Sequence, residues 1–154
     1  MIRVLFVCHG NICRSPMAKF LFKDLIKKKG IEDKFIVDSG ATSYEEEGND
    51  LYRHAATKLR EKGIPFDTHS ARRIQKEDYD KFDYILGMEQ FNVGQIMKII
   101  GEDSENKVHL LLDFSPNPRE ISDPWYSGNF ELAYNDILEG VETFLEYILS
   151  SENC

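Results

Sequence analysis

The stretch from residue 4 to residue 16 constrains the fold of this chain more than any other. Residues 4–7 form an uninterrupted apolar run of Val, Leu, Phe and Val, which is typical of a strand buried on both faces. The run ends at Cys8, a Gly-Asn loop follows, and Ser15-Pro16 has the composition of a helix N-cap and a first helical residue. The sequence thus predicts a strand, a short loop and a helix, the unit from which parallel α/β sheets are built.

The loop between Cys8 and Arg14 has the composition of an anion-binding site. So short a loop cannot pair all of its backbone N–H groups internally, and the N-terminus of the next helix adds a partial positive charge. Gly10 lets the backbone approach a ligand closely, and Asn11 tolerates the positive φ that a ring of inward N–H groups requires. Arg14 can hold two oxygens of a dianion in a geometry that lysine cannot match. A thiol at the floor of this loop is expected to ionise readily, so we predict Cys8 as a nucleophile. The positions predicted to bind a phosphate dianion are His9, Gly10, Asn11, Ile12, Cys13 and Arg14.

Composition and charge narrow the class of protein. Of the 154 residues, 30% are charged and 42% hydrophobic, which suits one soluble globular domain over residues 1–154. The formal net charge of −8 argues against nucleic acid and anionic membrane surfaces as partners. Three cysteines without the paired spacing of a secreted scaffold predict reduced thiols and a cytoplasmic location. Apolar runs stay well below the ~18 residues of a membrane span, and residues 2–7 are too short for a signal-peptide core.

Strand and helix patterns alternate along the rest of the chain. Further strands are predicted over residues 35–40, 82–88 and 108–112, and helices over residues 15–27, 55–62, 76–81, 91–100 and 130–148. Residues 41–51 are predicted as a polar loop, and residues 113–128 as a second loop because they contain three of the five prolines. The spacing in the first helix predicts a buried face with Met17, Phe20, Leu21 and Leu25 and an exposed face with Lys19, Lys23 and Lys27. In the fourth helix it predicts that Val93, Ile96, Met97 and Ile100 face inward.

These elements predict an α/β fold, a three-layer sandwich in which about five helices flank a four-stranded parallel sheet. Ligands of such sheets bind beyond the carboxyl ends of the strands, where Cys8 and its loop lie.

Residues 7–16 carry the run Val-Cys-x-Gly-Asn-Ile-Cys-Arg-Ser-Pro. In this run the chain resembles the low-molecular-weight protein tyrosine phosphatases, and the resemblance extends to Asp123-Pro124. It implies a sheet of strand order 2-1-3-4 and the hydrolysis of phosphotyrosine and aryl phosphate monoesters through a cysteinyl-phosphate intermediate. Tyrosine-phosphorylated proteins and inorganic phosphate are the implied partners, with no cofactor and no metal.

The resemblance also assigns roles outside the loop. Asp123 lies in the run Ile-Ser-Asp-Pro-Trp-Tyr at 121–126 and matches the family's general acid. Pro124 restricts Asp123 to extended backbone. The resemblance implies that three residues brace Asn11, namely Ser15, Ser39 and His69. It further implies a substrate wall of Trp125, Tyr126 and one aromatic residue from positions 44–52, for which we choose Tyr44.

Cys13 is predicted as a redox partner of Cys8. The loop curls round its ligand, so the two α-carbons could lie within the ~4.4–6.8 Å that a disulfide requires, and the resemblance points to the same pair. A small buried residue that only packs is the alternative.

Two positions depart from the family pattern. His9 stands where an apolar residue is more usual, which adds a titratable group to the rim. Trp125 replaces the more usual tyrosine.

Four alternatives compete with a tyrosine phosphatase. An arsenate reductase on the same fold needs a later cysteine pair, whereas Cys154 alone follows Cys13. A phosphoarginine phosphatase resembles the chain too, but that group has threonine where this chain has Ile12. A phosphopeptide-binding module without turnover would lack the nucleophile or the acid. A metal site of Cys8, Cys13 and His9 lacks a fourth ligand and zinc-like spacing.

Overall fold

Four parallel strands form one sheet in the computed structural model of the chain, which describes residues 1–152. The strands are β1 (Ile2–Cys8), β2 (Phe35–Ala41), β3 (Tyr84–Gly87) and β4 (Val108–Leu110), and they lie in the predicted order β2-β1-β3-β4. Cys8 of β1 pairs with Ala41 of β2, and Val7 pairs with Gly87 of β3. The carboxyl ends of these three strands therefore meet at one edge of the sheet.

Helices cover both faces of this sheet. Within residues 1–152 they are α1 (Arg14–Lys28), α2 (Arg53–Glu61), α3 (Asp78–Lys81), α4 (Gln90–Ile100), α5 (Pro124–Ser127) and α6 (Phe130–Glu152), with 3₁₀ turns at Glu32–Lys34 and Leu111–Phe114. Alternate residues of β1 point to opposite faces. Val4 and Phe6 join a core with α1 and α6, and Leu5 and Val7 join a second core with α4. The predicted three-layer sandwich is confirmed, with six α-helices.

The strands β3 and β4 are shorter than the predicted strands over residues 82–88 and 108–112. At the end of β3, the N–H of Met88 donates to Asn92 Oδ1 (3.1 Å) at the start of α4. Asn92 is fully buried, while Val93 and Met97, which were predicted to face inward, are only partly buried. At the end of β4, the N–H of Leu110 donates to Asp113 Oδ2 (3.0 Å), and this side-chain contact turns the chain into a 3₁₀ turn.

The segment predicted as loop over residues 113–128 contains one short helix, α5. Pro124 is its first residue, and the Asp123 carboxylate accepts a hydrogen bond from the N–H of Trp125 (3.0 Å). Gly128 ends α5 with a positive φ of 73°. The proline content that suggests a loop is thus also suited to a helix start.

The helix α1 differs from its prediction in two ways. It begins at Arg14, with Cys13 as N-cap, so Pro16 is its third residue rather than its first. A proline is tolerated there because the first N–H groups of a helix have no intrahelical partner. Lys19, predicted on the exposed face, is buried, because the first turns of α1 are covered on all sides.

Candidate active site

Cys8 ends β1 and lies at the floor of the loop formed by residues 9–13. It is 3% exposed. Its Sγ accepts a hydrogen bond from the N–H of Asn11 (3.3 Å) and lies 3.1 Å from Ser15 Oγ. The N–H of Thr42, just beyond β2, donates to the carbonyl of Cys8 (3.0 Å) and ties the loop to the neighbouring strand. A backbone N–H and a hydroxyl group thus lie within hydrogen-bond distance of the sulfur, an arrangement that suits a thiolate.

Asn11 supports the loop through each of its polar groups. Its φ of +60° is left-handed, as its residue type allows. Its Nδ2 donates to Ser15 Oγ (2.8 Å), its Oδ1 accepts from the N–H of Arg72 (3.2 Å), and its carbonyl accepts from His69 Nε2 (2.6 Å). With its own N–H directed at Cys8, Asn11 has every group bonded, which makes a rigid support.

Two of the three predicted braces therefore contact Asn11, and the third, Ser39, does not. Ser39 Oγ is buried and has no hydrogen-bond partner among residues 1–152. The register of the sheet places Ser39 beside Phe6, two residues before Cys8. The backbone of Arg72 supplies the contact in its place.

Arg14 is 1% exposed and is held between two carboxylates. Its Nη1 donates to the carbonyl of Ile121 (2.7 Å) and lies 3.0 Å from Glu89 Oε1. Its Nη2 lies 3.4 Å from Asp123 Oδ2. These partners compensate the burial of the guanidinium charge and orient the group.

Glu89 is a site residue that the sequence analysis did not find. It caps α4, and the capping box with Asn92 holds its backbone in place, with the N–H of Glu89 donating to Asn92 Oδ1 (2.9 Å). An acidic residue directly after the third strand was the available signal, since the carboxyl ends of parallel strands meet at one edge.

A cavity of about 100 Å³ opens above the loop. One water molecule needs only ~10–15 Å³ of such space, so a small oxyanion fits. The residues that line it are Cys8, His9, Gly10, Ile12, Cys13, Arg14, Glu45, Glu46, Asp123, Trp125 and Tyr126. The predicted nucleophile, arginine, aspartate and two of the three predicted wall residues thus lie around one cavity.

Tyr44, the third predicted wall residue, does not line the cavity, which corrects that prediction. It is 62% exposed, and its ring lies 4.6 Å from the guanidinium of Arg73, which also donates to its hydroxyl (3.3 Å). This contact holds the ring away from the site. Glu45 and Glu46 form that side of the cavity instead.

Other side chains complete the rim. His9 Nε2 lies 3.2 Å from Glu45 Oε2, and the His9 ring lies 6.1 Å from that of Phe91. Tyr52 packs against Trp125, with ring centroids 4.8 Å apart. Tyr52, the second aromatic residue of positions 44–52, thus supports the wall residue Trp125 without lining the cavity.

Cys13 lies beside Cys8 in the lining, and both carry free thiols. Burial, and after it the negative charge that Cys8 can carry, raises the pKa of Cys13 strongly. Cys13 is thus a protonated thiol next to the predicted nucleophile, Cys8. Cys154 lies outside the described residues.

Comparison with known families identifies the group to which this site belongs. A family model described as low molecular weight phosphotyrosine protein phosphatase matches residues 3–152. The chain belongs to this family. The family resemblance predicted from residues 7–16 is confirmed.

Three proteins illustrate the similarity. Low molecular weight protein-tyrosine-phosphatase YfkJ of Bacillus subtilis is 39% identical over 153 residues, 98% of this chain and 96% of that protein. Its crystal structure has a TM-score of 0.94, with the same shares of both chains covered. The human low molecular weight phosphotyrosine protein phosphatase is 38% identical over 148 residues, 93% of each chain. The crystal structure of a Drosophila arginine phosphatase has a TM-score of 0.87 at 31% identity, covering 96% of this chain and 98% of that one.

Metal binding and membrane insertion are two other kinds of function on which residues 1–152 give information. From residue 1 to residue 152, His, Cys, Asp and Glu form no group of three or more that could hold a metal ion. Over the same residues, no helix has the length and apolar content needed to cross a bilayer.

Proposed function

We propose that the protein hydrolyses phosphotyrosine in proteins and peptides, as a phosphatase that works through a cysteinyl-phosphate intermediate. One observation carries the proposal: the Cys8 sulfur, the Arg14 guanidinium and the Asp123 carboxylate line one cavity with two exposed aromatic rings, those of Trp125 and Tyr126. The cavity accepts a dianion at its floor, and the rings offer apolar surface to a phenyl group.

In the first step the Cys8 thiolate attacks phosphorus, an S–P bond forms and the P–O bond to the phenol breaks. The leaving oxygen takes a proton from the Asp123 carboxyl group. Loop N–H groups and Arg14 bind the three equatorial oxygens, whose negative charge they stabilise. Arg14 gains these contacts without leaving Glu89, because its guanidinium has further N–H groups.

In the second step water attacks phosphorus and the S–P bond breaks. Asp123, now a carboxylate, takes the proton from the water, inorganic phosphate leaves and Cys8 is again a thiolate. Ser15 supports both steps. Its Oγ accepts from Asn11, and its single proton has two acceptors within reach, the carbonyl of Gly40 (3.4 Å) and the sulfur (3.1 Å), so it can be donated to the sulfur as charge develops there.

A panel of substrates tests the reaction: an aryl phosphate and peptides with phosphotyrosine, phosphoserine or phosphoarginine. We expect turnover of the first two to exceed that of the phosphoserine peptide by orders of magnitude. Preferred hydrolysis of phosphoarginine, the activity named for the Drosophila structure, would replace this proposal with that alternative. Ile12 argues against it, because the phosphoarginine phosphatases that resemble this chain carry threonine there.

Cys8→Ser tests the nucleophile. We expect turnover below about a thousandth of that of the wild-type enzyme, because a serine hydroxyl in this loop has no base to activate it. Phosphate binding, measured by calorimetry, should be largely kept, since backbone N–H groups and Arg14 supply it. Turnover well above that level would assign the nucleophile to another group.

A further inference from the structure

Lys19 is a buried lysine that faces a histidine rather than a carboxylate. It lies on α1, is 9% exposed, and its Nζ is 3.0 Å from Nδ1 of His69. The ammonium also lies 4.7 Å from the ring centroid of Phe20. Among residues 1–152, no carboxylate oxygen lies within ion-pair distance of it. A lysine this deeply buried needs a specific partner, and here the partner is an imidazole nitrogen.

The two contacts of the His69 ring define which nitrogen carries the proton. Nε2 lies 2.6 Å from the carbonyl oxygen of Asn11, which can only accept, so Nε2 carries a hydrogen. Nδ1 lies 3.0 Å from Lys19 Nζ, and an ammonium can only donate, so Nδ1 carries none. His69 is therefore neutral, with its proton on Nε2. A protonated ring would direct a second N–H at the ammonium.

The charges around the pair agree with this state. Burial first, and then the Lys19 charge, lowers the pKa of His69, although the bond to Asn11 opposes this. Burial also lowers the pKa of Lys19. The ordinary pKa of lysine, 10.5, lies well above the 6.5 of histidine, so of the two groups Lys19 is the one that favours the proton. The acidic neighbours are Asp50 and Asp38.

The other charged groups that face the pair bond elsewhere. Asp50 accepts from the backbone N–H of His69 (2.9 Å), and Asp38 pairs with Arg72 (3.3 Å). Lys23 and Arg72 add positive charge near Lys19. Of these charged groups, Lys19 is the one that lies within hydrogen-bond distance of Nδ1 of His69.

We propose that Lys19 is a positioning residue for the loop of residues 9–13. It holds His69 as the neutral Nε2–H tautomer, and His69 in turn holds the carbonyl of Asn11. This keeps the left-handed backbone at Asn11 that directs its N–H at Cys8. Contacts from Lys19 to His69, from His69 to Asn11 and from Asn11 to Cys8 thus connect α1 with the sulfur. Lys19 itself does not line the cavity and forms no hydrogen bond with the sulfur. The kinetic test of this role rests on the proposed phosphatase function, whereas the spectroscopic test does not.

The spectroscopic test uses ¹⁵N NMR of the histidine rings in the intact protein, with His69 assigned from its absence in His69→Gln. We expect the ¹⁵N shifts of the Nε2–H tautomer and a titration midpoint below that of histidine in a model peptide. The Nδ1–H tautomer, or a midpoint above that of the model peptide, would overturn the proposal. This result does not depend on any turnover.

Variants of Lys19 separate positioning from packing. Lys19→Met removes the donor and keeps the apolar stem, and we expect kcat to fall about 2–10-fold, the effect of one lost hydrogen bond, with less change in KM. Lys19→Gln keeps an N–H donor and should recover most of the loss. Lys19→Glu accepts from Nδ1–H, so the pKa of His69 should rise above its ordinary value and add a step to the pH profile of kcat/KM.

Lys27→Met is the matched control, because it removes an exposed positive charge from the same helix far from His69. It should change neither the His69 titration nor kcat. Thermal unfolding checks each variant for folding. If Lys19→Met does not fold, the wild-type NMR spectrum and Lys19→Gln decide the question. An unchanged His69 titration together with an unchanged kcat in Lys19→Met would overturn the proposal.

Discussion

At the scale of single residues, the site combines groups whose roles depend on a few hydrogen bonds. Arg14 is oriented by Glu89 and by the carbonyl of Ile121 before any ligand arrives. Asn11 is bonded at every polar group. Such preorganisation should let the loop bind the charged transition state of the proposed reaction without rearranging.

Asp123→Asn should slow the reaction in a way that depends on the leaving group. For a phenol of ordinary acidity we expect a loss of about 10²–10⁴-fold, because the amide cannot supply a proton. The loss should shrink along a series of aryl phosphates with increasingly acidic phenols, which leave without protonation. Steady-state kinetics measures the loss of rate for each substrate of that series. An equal loss for all of them would show that Asp123 is not the general acid.

We expect Cys13 to protect the proposed nucleophile, Cys8, from oxidation. Peroxide should convert the Cys8 thiolate to a sulfenic acid, and attack by the Cys13 sulfur should then form a disulfide and release water. We expect peroxide inactivation of the wild-type enzyme to be reversed by dithiothreitol.

Cys13→Ser should stay active yet fail to recover after the same treatment, because its sulfenic acid oxidises further. Mass spectrometry of the oxidised wild-type protein should find Cys8 linked to Cys13. If that link is missing, or if the variant recovers fully, Cys13 only packs.

At the scale of elements, hydrogen bonds and ion pairs connect residues 115–119, which precede α5, to α6. Arg119 Nη2 lies 2.7 Å from Asp136 Oδ1, and its Nη1 lies 2.9 Å from Glu139 Oε2, which also bonds to Ser115. The segment then continues to Asp123. The position of the proposed acid thus depends partly on contacts with a helix outside the site.

The contacts between Arg119 and Glu139 predict that the free energy of unfolding depends on pH. The hydrogen bond from Arg119, and then that from Ser115, lowers the pKa of Glu139 from 4.5 to about 2. A carboxylate with a lowered pKa stabilises the folded state above its ordinary pKa and loses that effect as pH falls towards the lowered one. The difference in free energy of unfolding between wild type and Glu139→Gln should therefore be largest above pH 4.5 and shrink towards pH 2.

Urea unfolding at several pH values measures this difference, and Glu146→Gln, an exposed position on the same helix, is the control. The control should differ little from wild type at any pH. A difference for Glu139→Gln that stays constant from pH 6 to pH 2 would contradict the assignment.

At the scale of the whole molecule, the chain carries a net charge of −8, whereas the proposed substrate carries a dianion. Glu45 and Glu46 bring this negative charge to the mouth of the cavity itself. Two further acidic side chains of residues 41–51 form hydrogen bonds with the backbone: Glu47 accepts from the N–H of Arg73, and Asp50 accepts from the N–H of His69. We therefore expect the rim to favour substrates with positive charge beside the phosphate.

Phosphotyrosine peptides with lysine or arginine next to phosphotyrosine should react faster than acidic ones at ~10 mM salt, where screening acts only beyond ~30 Å. Glu45→Gln/Glu46→Gln should reduce this preference in kcat/KM. Glu32→Gln/Asp33→Asn removes the same charge at the amino-terminal end of β2, at the far side of the sheet, and should leave it unchanged. Equal rates for basic and acidic peptides would rule out selection by the rim.

The sequence alone determined the features that depend on neighbours in the chain. The apolar run before Cys8, the short loop and the following helix are local patterns, and together they predict a buried strand with an anion site at its end. The alternation of strands and helices predicts the layers, and the family motif predicts the strand order and the positions of Arg14 and Asp123. These follow from short-range backbone preferences and from residue types that few other sites require.

Only the tertiary structure decided the features that depend on residues far apart in the chain. The carbonyl of Ile121 reaches Arg14 across 107 positions, and His69 reaches Asn11 across 58. Packing buries Lys19, although its position on α1 predicts an exposed side chain. Tyr44 packs against Arg73 and does not line the cavity. No local pattern encodes these contacts, because each depends on how separate elements pack at the carboxyl edge of the sheet.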